Sequence, residues 1–232
     1  MKPGARAIAG AIVDLDGTMI DTLPDFDAAL NRMCAELGLG PVTRAQIERL
    51  VGKGSENLIR GVLALQLDAD GVELRFPDAL AAYQRHYFDI NGEFSAVYPD
   101  VAAGLADLRS QGLRLACVTN KPLAFAQPLL ERKGLARYFE RIYGGDSFAR
   151  KKPDPLPLQE ACAAFNLKPG EVVAIGDSSN DAQAARAAGC YVLAVPYGYN
   201  HGVPIHETDS DGIVNTLLEA ATRIRQHNQD AL

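Results

Sequence analysis

Tryptophan is absent from this chain, and only four cysteines and four histidines are scattered through its 232 residues. Cys34, Cys117, Cys162 and Cys190 show no Cys-x-x-Cys spacing and sit mostly among apolar neighbours, which argues against a disulfide framework and for reduced, buried thiols. His86, His201, His206 and His227 form no His-x-x-x-His or Cys/His group, so zinc chemistry has no support. Positive charge is also short. The 23 basic against 29 acidic residues give a formal charge of −6, a poor match to nucleic acid or an anionic membrane, and neither is expected as a partner. No apolar stretch approaches the roughly 20 residues a membrane-spanning helix needs. The run Ala7 to Val13, behind Lys2 and Arg6, is short for a targeting segment and passes directly into Asp14-Leu15-Asp16. It reads as a buried strand in a cytoplasmic protein.

What is present is an ordinary globular composition, 47% hydrophobic, enough to bury a core in one domain with an insertion or in two small domains. Short apolar runs end in polar or glycine-containing turns: Ala7 to Val13, Leu113 to Val118, Val172 to Ile175, Tyr191 to Val195 and, more weakly, Arg141 to Tyr143. Helical spacing separates them, as in Val101, Leu105 and Leu108, in Leu123 to Leu130 before Gly134, and in Asp181 to Ala188 before Gly189. This alternation predicts an α/β, doubly wound Rossmann-like parallel sheet, with ligands at the carboxyl ends of the strands.

The segment from Ile20 to Gly92 differs, because its patterns are helical. Leu23, Phe26, Leu30, Met33 and Leu37 form one amphipathic stripe ended by Gly38; Thr43 and Ser55 can each cap a further helix; and Leu80, Tyr83 and Tyr87 belong to another. The expectation is a helical cap, residues 20–92, inserted after the first strand of a core made of residues 1–19 and 93–232.

Four strand-end motifs carry the chemistry. In Asp14-Leu15-Asp16-Gly17-Thr18, two carboxylates one residue apart can project to one side of an extended chain. At about 4 Å their repulsion costs roughly 4 kcal/mol at an effective dielectric of about 20, so a cation or a shared proton must offset it. A calcium loop begins similarly, but its twelfth position would be Asp25 rather than Glu, and a strand rather than a helix precedes it. In Val118-Thr119-Asn120-Lys121, a hydroxyl and adjacent N–H can hold a phosphoryl oxygen. Lys151-Lys152-Pro153-Asp154-Pro155 and Gly176-Asp177-Ser178-Ser179-Asn180-Asp181 complete the set. Taken singly, each is ordinary turn, loop or cap chemistry. Magnesium favours a few carboxylates, a carbonyl, waters and phosphate, which Asp14, Asp177 and the carbonyl near Asp16 could help supply.

Together and in this order, the motifs resemble those of the haloacid dehalogenase superfamily of phosphohydrolases. The resemblance implies Asp14 as nucleophile and Mg2+ ligand, and Asp16 as general acid, then base, with its neighbouring carbonyl on the metal. It also implies Thr119 and Asn120 around the phosphoryl group, and Lys152, the lysine directly before the proline, balancing charge between that group and Asp14. Asp177 and Asp181 would support the metal, and Lys151 is left as a surface charge. Val51-Gly52-Lys53-Gly54-Ser55 resembles the family's glycine-rich cap loop, and Lys53 is expected to recognise a substrate carboxylate. It is no nucleotide P-loop, since Gly54 follows the lysine. Val13 and Met19 depart from the usual pattern without removing a reacting group.

Among branches of the superfamily, Val118 to Pro122, Gly144-Gly145-Asp146, Lys151-Lys152-Pro153, Gly176 to Ala185 and Pro196-Tyr197-Gly198-Tyr199-Asn200 resemble a phosphatase for a small anionic ester, 2-phosphoglycolate foremost, working through an aspartyl phosphate. Asp16 argues against the dehalogenase and phosphonatase branches. Open alternatives are a capped phosphatase for a sugar phosphate, nucleotide or pyrophosphate, a sugar-phosphate mutase, and a non-enzymatic phosphoacceptor or binding protein.

Overall fold

Alternate residues of the first apolar run serve two different cores. Ala11 and Val13 pack on one side of the sheet and Ile12 on the other, so β1 is buried on both faces, as a central parallel strand must be. The computed structural model describes residues 6–231, which leaves Lys2 outside the described residues. Its first part runs β1 (Gly10–Val13), β2 (Ile20–Asp21), α1 (Leu23–Glu36), α2 (Arg44–Leu50), α3 (Ser55–Ala64), α4 (Ala69–Ile90) and β3 (Ala96–Val97). There follow α5 (Val101–Ser110), β4 (Arg114–Val118), α6 (Leu123–Arg132), β5 (Arg141–Tyr143), α7 (Leu156–Phe165) and β6 (Val172–Gly176). The chain closes with α8 (Ser179–Ala188), β7 (Tyr191–Ala194), β8 (Gly212–Ile213) and α9 (Leu217–Asp230).

Six strands form one parallel sheet in the order β5-β4-β1-β6-β7-β8. The doubly wound sheet expected from the apolar runs is therefore present. Helices α5, α6 and α9 cover one face through Leu105, Leu108, Leu129, Leu130, Leu217 and Ile224; α7 and α8 cover the other through Leu158, Phe165, Ala182 and Ala185. Val13 pairs with both Cys117 and Ile175, so β1, β4 and β6 end level. The sheet is wound outward on both sides of β1, which opens a crevice beyond these three ends.

Helices α1 to α4 gather over that crevice around a hydrophobic cluster of their own, which includes Leu30, Met33, Ile59, Leu63 and Tyr83 and takes Phe125 and Tyr199 from the sheet side. Two short strands, β2 and β3, pair antiparallel where the chain enters and leaves this layer. Asp25 pins the crossing by accepting from the backbone N–H groups of Gly92 at 2.9 Å and Phe94 at 2.7 Å.

Several local expectations change. Ser55 is the first residue of α3 rather than its cap, and Gly54 stands at the N-cap. Helix α4 is longer than its Leu80-Tyr83-Tyr87 stripe suggests: Asp68 caps it through the Gly71 N–H, and Pro77 lies inside it. Helices α7 and α9 and strands β2, β3 and β8 lie beyond the elements that the sequence patterns indicate. Among the described residues, no helix is long and apolar enough to cross a membrane. The four thiols are free and buried, as expected.

Candidate active site

Asp14 leaves β1 with its N–H donating to the Ile175 carbonyl at 3.0 Å, which sets its carboxylate between the ends of β4 and β6. The chain then coils tightly, with the N–H groups of Thr18, Met19 and Ile20 all directed to the Leu15 carbonyl. Gly17 takes φ +80° in this turn, and a Cβ there would lie 2.3 Å from Asp177 Oδ2. Only glycine meets both demands.

Asp177, at the end of β6, is held by the Thr18 hydroxyl at 2.8 Å and the Tyr199 N–H at 2.5 Å. Gly198 lets the loop after β7 come this close, since a Cβ on it would stand 2.3 Å from both Asp177 Oδ2 and the Gly17 carbonyl oxygen. Asp181, one turn into α8, accepts from the Ser178 hydroxyl at 2.6 Å and its N–H at 3.1 Å. Its other oxygen accepts from Lys152 Nζ at 2.6 Å. Lys152 is buried, donates to the Val118 carbonyl at 2.7 Å and stands 2.8 Å from Asp14 Oδ1. Burial opposes its charge, but Asp14 and Asp181 outweigh burial and raise its pKa.

One lysine does not balance the carboxylates around it. Oxygens of Asp14, Asp177 and Asp181 lie within 4.8 Å of one another. Burial pushes Asp14 up to about 7, against the pull of Lys152 and with added push from Asp181 and Asp16. Burial, then Asp181 and Asp14, raises Asp177 well above the ordinary carboxylate range. Asp14 Oδ1 is moreover buried and makes no aligned hydrogen bond despite its nearness to Lys152. A hard divalent cation fits this donor set and would restore both carboxylates to their charged forms. Asp181, whose oxygens already accept three hydrogen bonds, is the most fully engaged of the three.

The expected phosphoryl-side residues gather here. Thr119 is buried at the end of β4, its hydroxyl accepting from the Lys121 N–H at 3.2 Å. Asn120 clasps the loop between α2 and α3: its Nδ2 donates to the Gly52 carbonyl at 2.9 Å and to the Lys152 carbonyl at 2.8 Å, while its buried Oδ1 has no partner. Asn180 reaches the same Gly52 carbonyl at 3.3 Å. Lys53 differs from expectation. Its side chain is exposed and does not line the cavity, because the loop turns its backbone, not its side chain, toward the core.

Lys121, the last residue of the second motif, has partners of its own. Its Nζ lies 2.9 and 3.3 Å from the two oxygens of Asp16, and 4.5 and 4.7 Å from the ring centroids of Phe26 and Tyr87. The free space between the strand ends and the helical layer is about 30 Å3. Asp14, Asp16, Thr119, Lys121 and Lys152 line it from the sheet side; Phe26, Leu58, Tyr83 and Tyr87 line it from the helices above. Tyr83 and Tyr87, which the sequence places on one helix, thus face the site as well.

The strand-end aspartate, the buried lysine and the carboxylate cluster lie at the switch point of the parallel sheet, where ligands bind in folds of this kind. Residues 11–195 match the family model of the haloacid dehalogenase-like hydrolases, and the chain belongs to that family. It is 44% identical to the phosphoglycolate phosphatase of Thiobacillus denitrificans, over 97% of this chain and 99% of that protein. It is 48% identical to the plasmid phosphoglycolate phosphatase of Cupriavidus necator, over 89% and 88% respectively. The crystal structure of a predicted phosphoglycolate phosphatase from Haemophilus somnus superposes with a TM-score of 0.87 at 30% identity, covering 93% of this chain and 97% of the other.

Proposed function

We propose that the protein hydrolyses 2-phosphoglycolate to glycolate and phosphate through an aspartyl phosphate on Asp14. The observation that carries this reading is the half-buried Asp14 carboxylate, 2.8 Å from Lys152, with the second carboxylate of Asp16 two residues on and facing the same cavity. The substrate follows from the names of the two curated relatives, which align over nearly nine tenths of this chain or more.

In the first step an Asp14 oxygen attacks phosphorus, the bond from phosphorus to the glycolate oxygen breaks, and Asp16 gives that oxygen its proton. In the second, water attacks the phosphoryl group, Asp16 takes the water's proton, and phosphate leaves with the Asp14 carboxylate restored. Lys152 and Thr119, with the N–H groups around them, hold the phosphoryl oxygens while charge moves between them. Asp14, Asp177 and the carbonyl of Asp16, backed by Asp181, would hold a magnesium ion, whose charge offsets the carboxylate repulsion and polarises the phosphoryl group when bound.

Residues 20–92 act as a cap on the core formed by the remainder. The narrow free space suits a closed arrangement in which water is excluded during turnover, so the cap lifts to admit substrate. Free thiols and the acidic surface fit a cytoplasmic enzyme whose partner is a small anionic ester.

The test is phosphate release from a panel of small phosphate esters, nucleotides and pyrophosphate, with magnesium and with chelator. Metal-dependent kcat/KM highest for 2-phosphoglycolate is expected. A higher value for a sugar phosphate or nucleotide would move the substrate assignment while keeping the chemistry.

A further inference from the structure

We infer that Lys121, assisted by the Tyr87 hydroxyl, is the part of the site that reads the substrate's carboxylate. The inference rests on the phosphoglycolate reading and extends it to the residues that select the leaving group.

Two buried lysines face the cavity, and they are occupied differently. Lys152 is shared among Asp14, Asp181 and the Val118 carbonyl, which commits it to the phosphoryl end. Among the described residues, Lys121 Nζ hydrogen-bonds only to the Asp16 carboxylate, and its nearest other neighbours are the faces of Phe26 and Tyr87. An ammonium has three donors, and ring faces stabilise its charge without saturating them. Lys121 thus has donor capacity beside the residue that protonates the leaving oxygen. In phosphoglycolate the carboxylate is attached to the carbon that bears the ester oxygen. A cation within hydrogen-bond reach of Asp16 is therefore within reach of that carboxylate.

The surroundings strengthen the match. Phe26, Leu58, Tyr83 and Phe125 make this end of the cavity apolar, where an ion pair is less screened than in water and a polyhydroxylated leaving group would lose hydrogen bonds. The Tyr87 hydroxyl is buried and has no hydrogen-bond partner. Burial, then Tyr83 and Asp16, raises its pKa far above the ordinary phenol value, so it keeps its proton and can donate. A carboxylate oxygen supplies the acceptor it lacks. Lys53, the lysine expected for this task, is exposed outside the cavity.

The experiment compares 2-phosphoglycolate with 2-hydroxyethyl phosphate, which keeps the two-carbon chain and replaces the carboxylate with an alcohol. Wild type, Lys121→Met and Tyr87→Phe are assayed with saturating magnesium, and inhibition by inorganic phosphate reports the phosphoryl end separately. Lys121→Met should lose about 30-fold more kcat/KM on phosphoglycolate than on hydroxyethyl phosphate, the scale of a lost charge-assisted hydrogen bond. Tyr87→Phe, which removes one oxygen from a packed ring, should shift the same ratio by about fivefold. The phosphate inhibition constant should stay within about threefold in both variants. Equal losses on the two substrates would mean that Lys121 acts only on Asp16 and would overturn the assignment, as would an unchanged ratio in Tyr87→Phe if Lys121→Met fails to fold. A wild type that does not prefer phosphoglycolate overturns the substrate reading and this inference with it. A wild type that does, with an unaltered ratio in Lys121→Met, overturns the inference alone.

Discussion

The sheet side and the helix side of the cavity are held together in different ways. On the sheet side, Lys152 contacts Asp14, Asp181 and the Val118 carbonyl, and Asp177 is fixed by Thr18 and the Tyr199 N–H. These groups are tied to strand ends and to one another. On the helix side, Phe26, Leu58, Tyr83 and Tyr87 present mostly apolar surface, and the layer meets the core through a few hydrogen bonds such as those to the Gly52 carbonyl. The difference separates two demands. Covalent chemistry needs groups that do not move, whereas substrate selection can reside on a surface that docks after the substrate arrives.

The largest effect should come from Asp14→Asn, which keeps the shape of the sheet side and removes its nucleophile. Turnover is expected to fall by at least about 10,000-fold. The protein should remain folded, and without metal it should melt no lower than wild type, because a buried and repelled carboxylate has become a neutral amide. Phosphate release and a thermal melt on the same preparation check both halves; activity within tenfold of wild type would place the nucleophile elsewhere.

Next in size is the contrast between the two lysines. Lys152→Met leaves Asp14 and Asp181 buried without their cation and should cost about 3 kcal/mol of stability, the range for breaking a buried pair. Lys121→Met leaves one carboxylate, Asp16, without its cation rather than two, and should cost less, nearer about 1 kcal/mol. Urea unfolding of both variants measures the difference. Equal costs would mean that the two sides are tied down alike.

This contrast also explains what could be read from sequence. Asp14, Thr119 and Asp177 each end an apolar strand, and Asp14 and Asp177 lie in strings of residues whose spacing is itself the signal, so the sheet side was legible as motifs. Tyr83 and Tyr87 come from one face of α4, where a side chain that lines a cavity has the same spacing as one that fills a core. Lys121 lay inside a quoted motif, but its partner Asp16 is 105 residues away, and no local pattern reveals the pair. The long α4 was concealed by Gly71 and Pro77, which ordinarily interrupt helices, and Asp68 and tertiary packing overrode both. Gly198 belongs to a stretch that carries the family resemblance, but its need becomes visible only where Asp177 and Gly17 crowd it.

A smaller effect should come from the charge balance of the sheet side. Asp14, raised to about 7, and Asp177, raised as well, bind protons more tightly in the folded chain than in the unfolded one. Their folded-state stability is therefore fully present below the ordinary carboxylate range and is lost as pH rises through the raised values. Magnesium should reverse that loss by favouring the charged forms. Adding it should raise Tm by about 5 °C at pH 8 and by much less at pH 5, because protons and metal compete for the same oxygens. Equal shifts at the two pH values would detach the metal from these carboxylates.

The smallest effect tests the helix side through the residue that sequence favoured and geometry does not. Lys53 is exposed, lines no part of the cavity, and lends its backbone carbonyl to Asn57 at 2.8 Å. Its ammonium lies close enough to His201 to help burial lower that imidazole's pKa, so it contributes a diffuse positive field at the rim. Lys53→Ala should therefore raise KM for phosphoglycolate by no more than about threefold, as expected for a screened surface charge, and should leave kcat unchanged. The rise should fade as salt is added, since only a long-range field is removed. A salt-independent increase of tenfold or more would mean that Lys53 contacts the substrate directly, and carboxylate recognition would then be divided between this loop and Lys121.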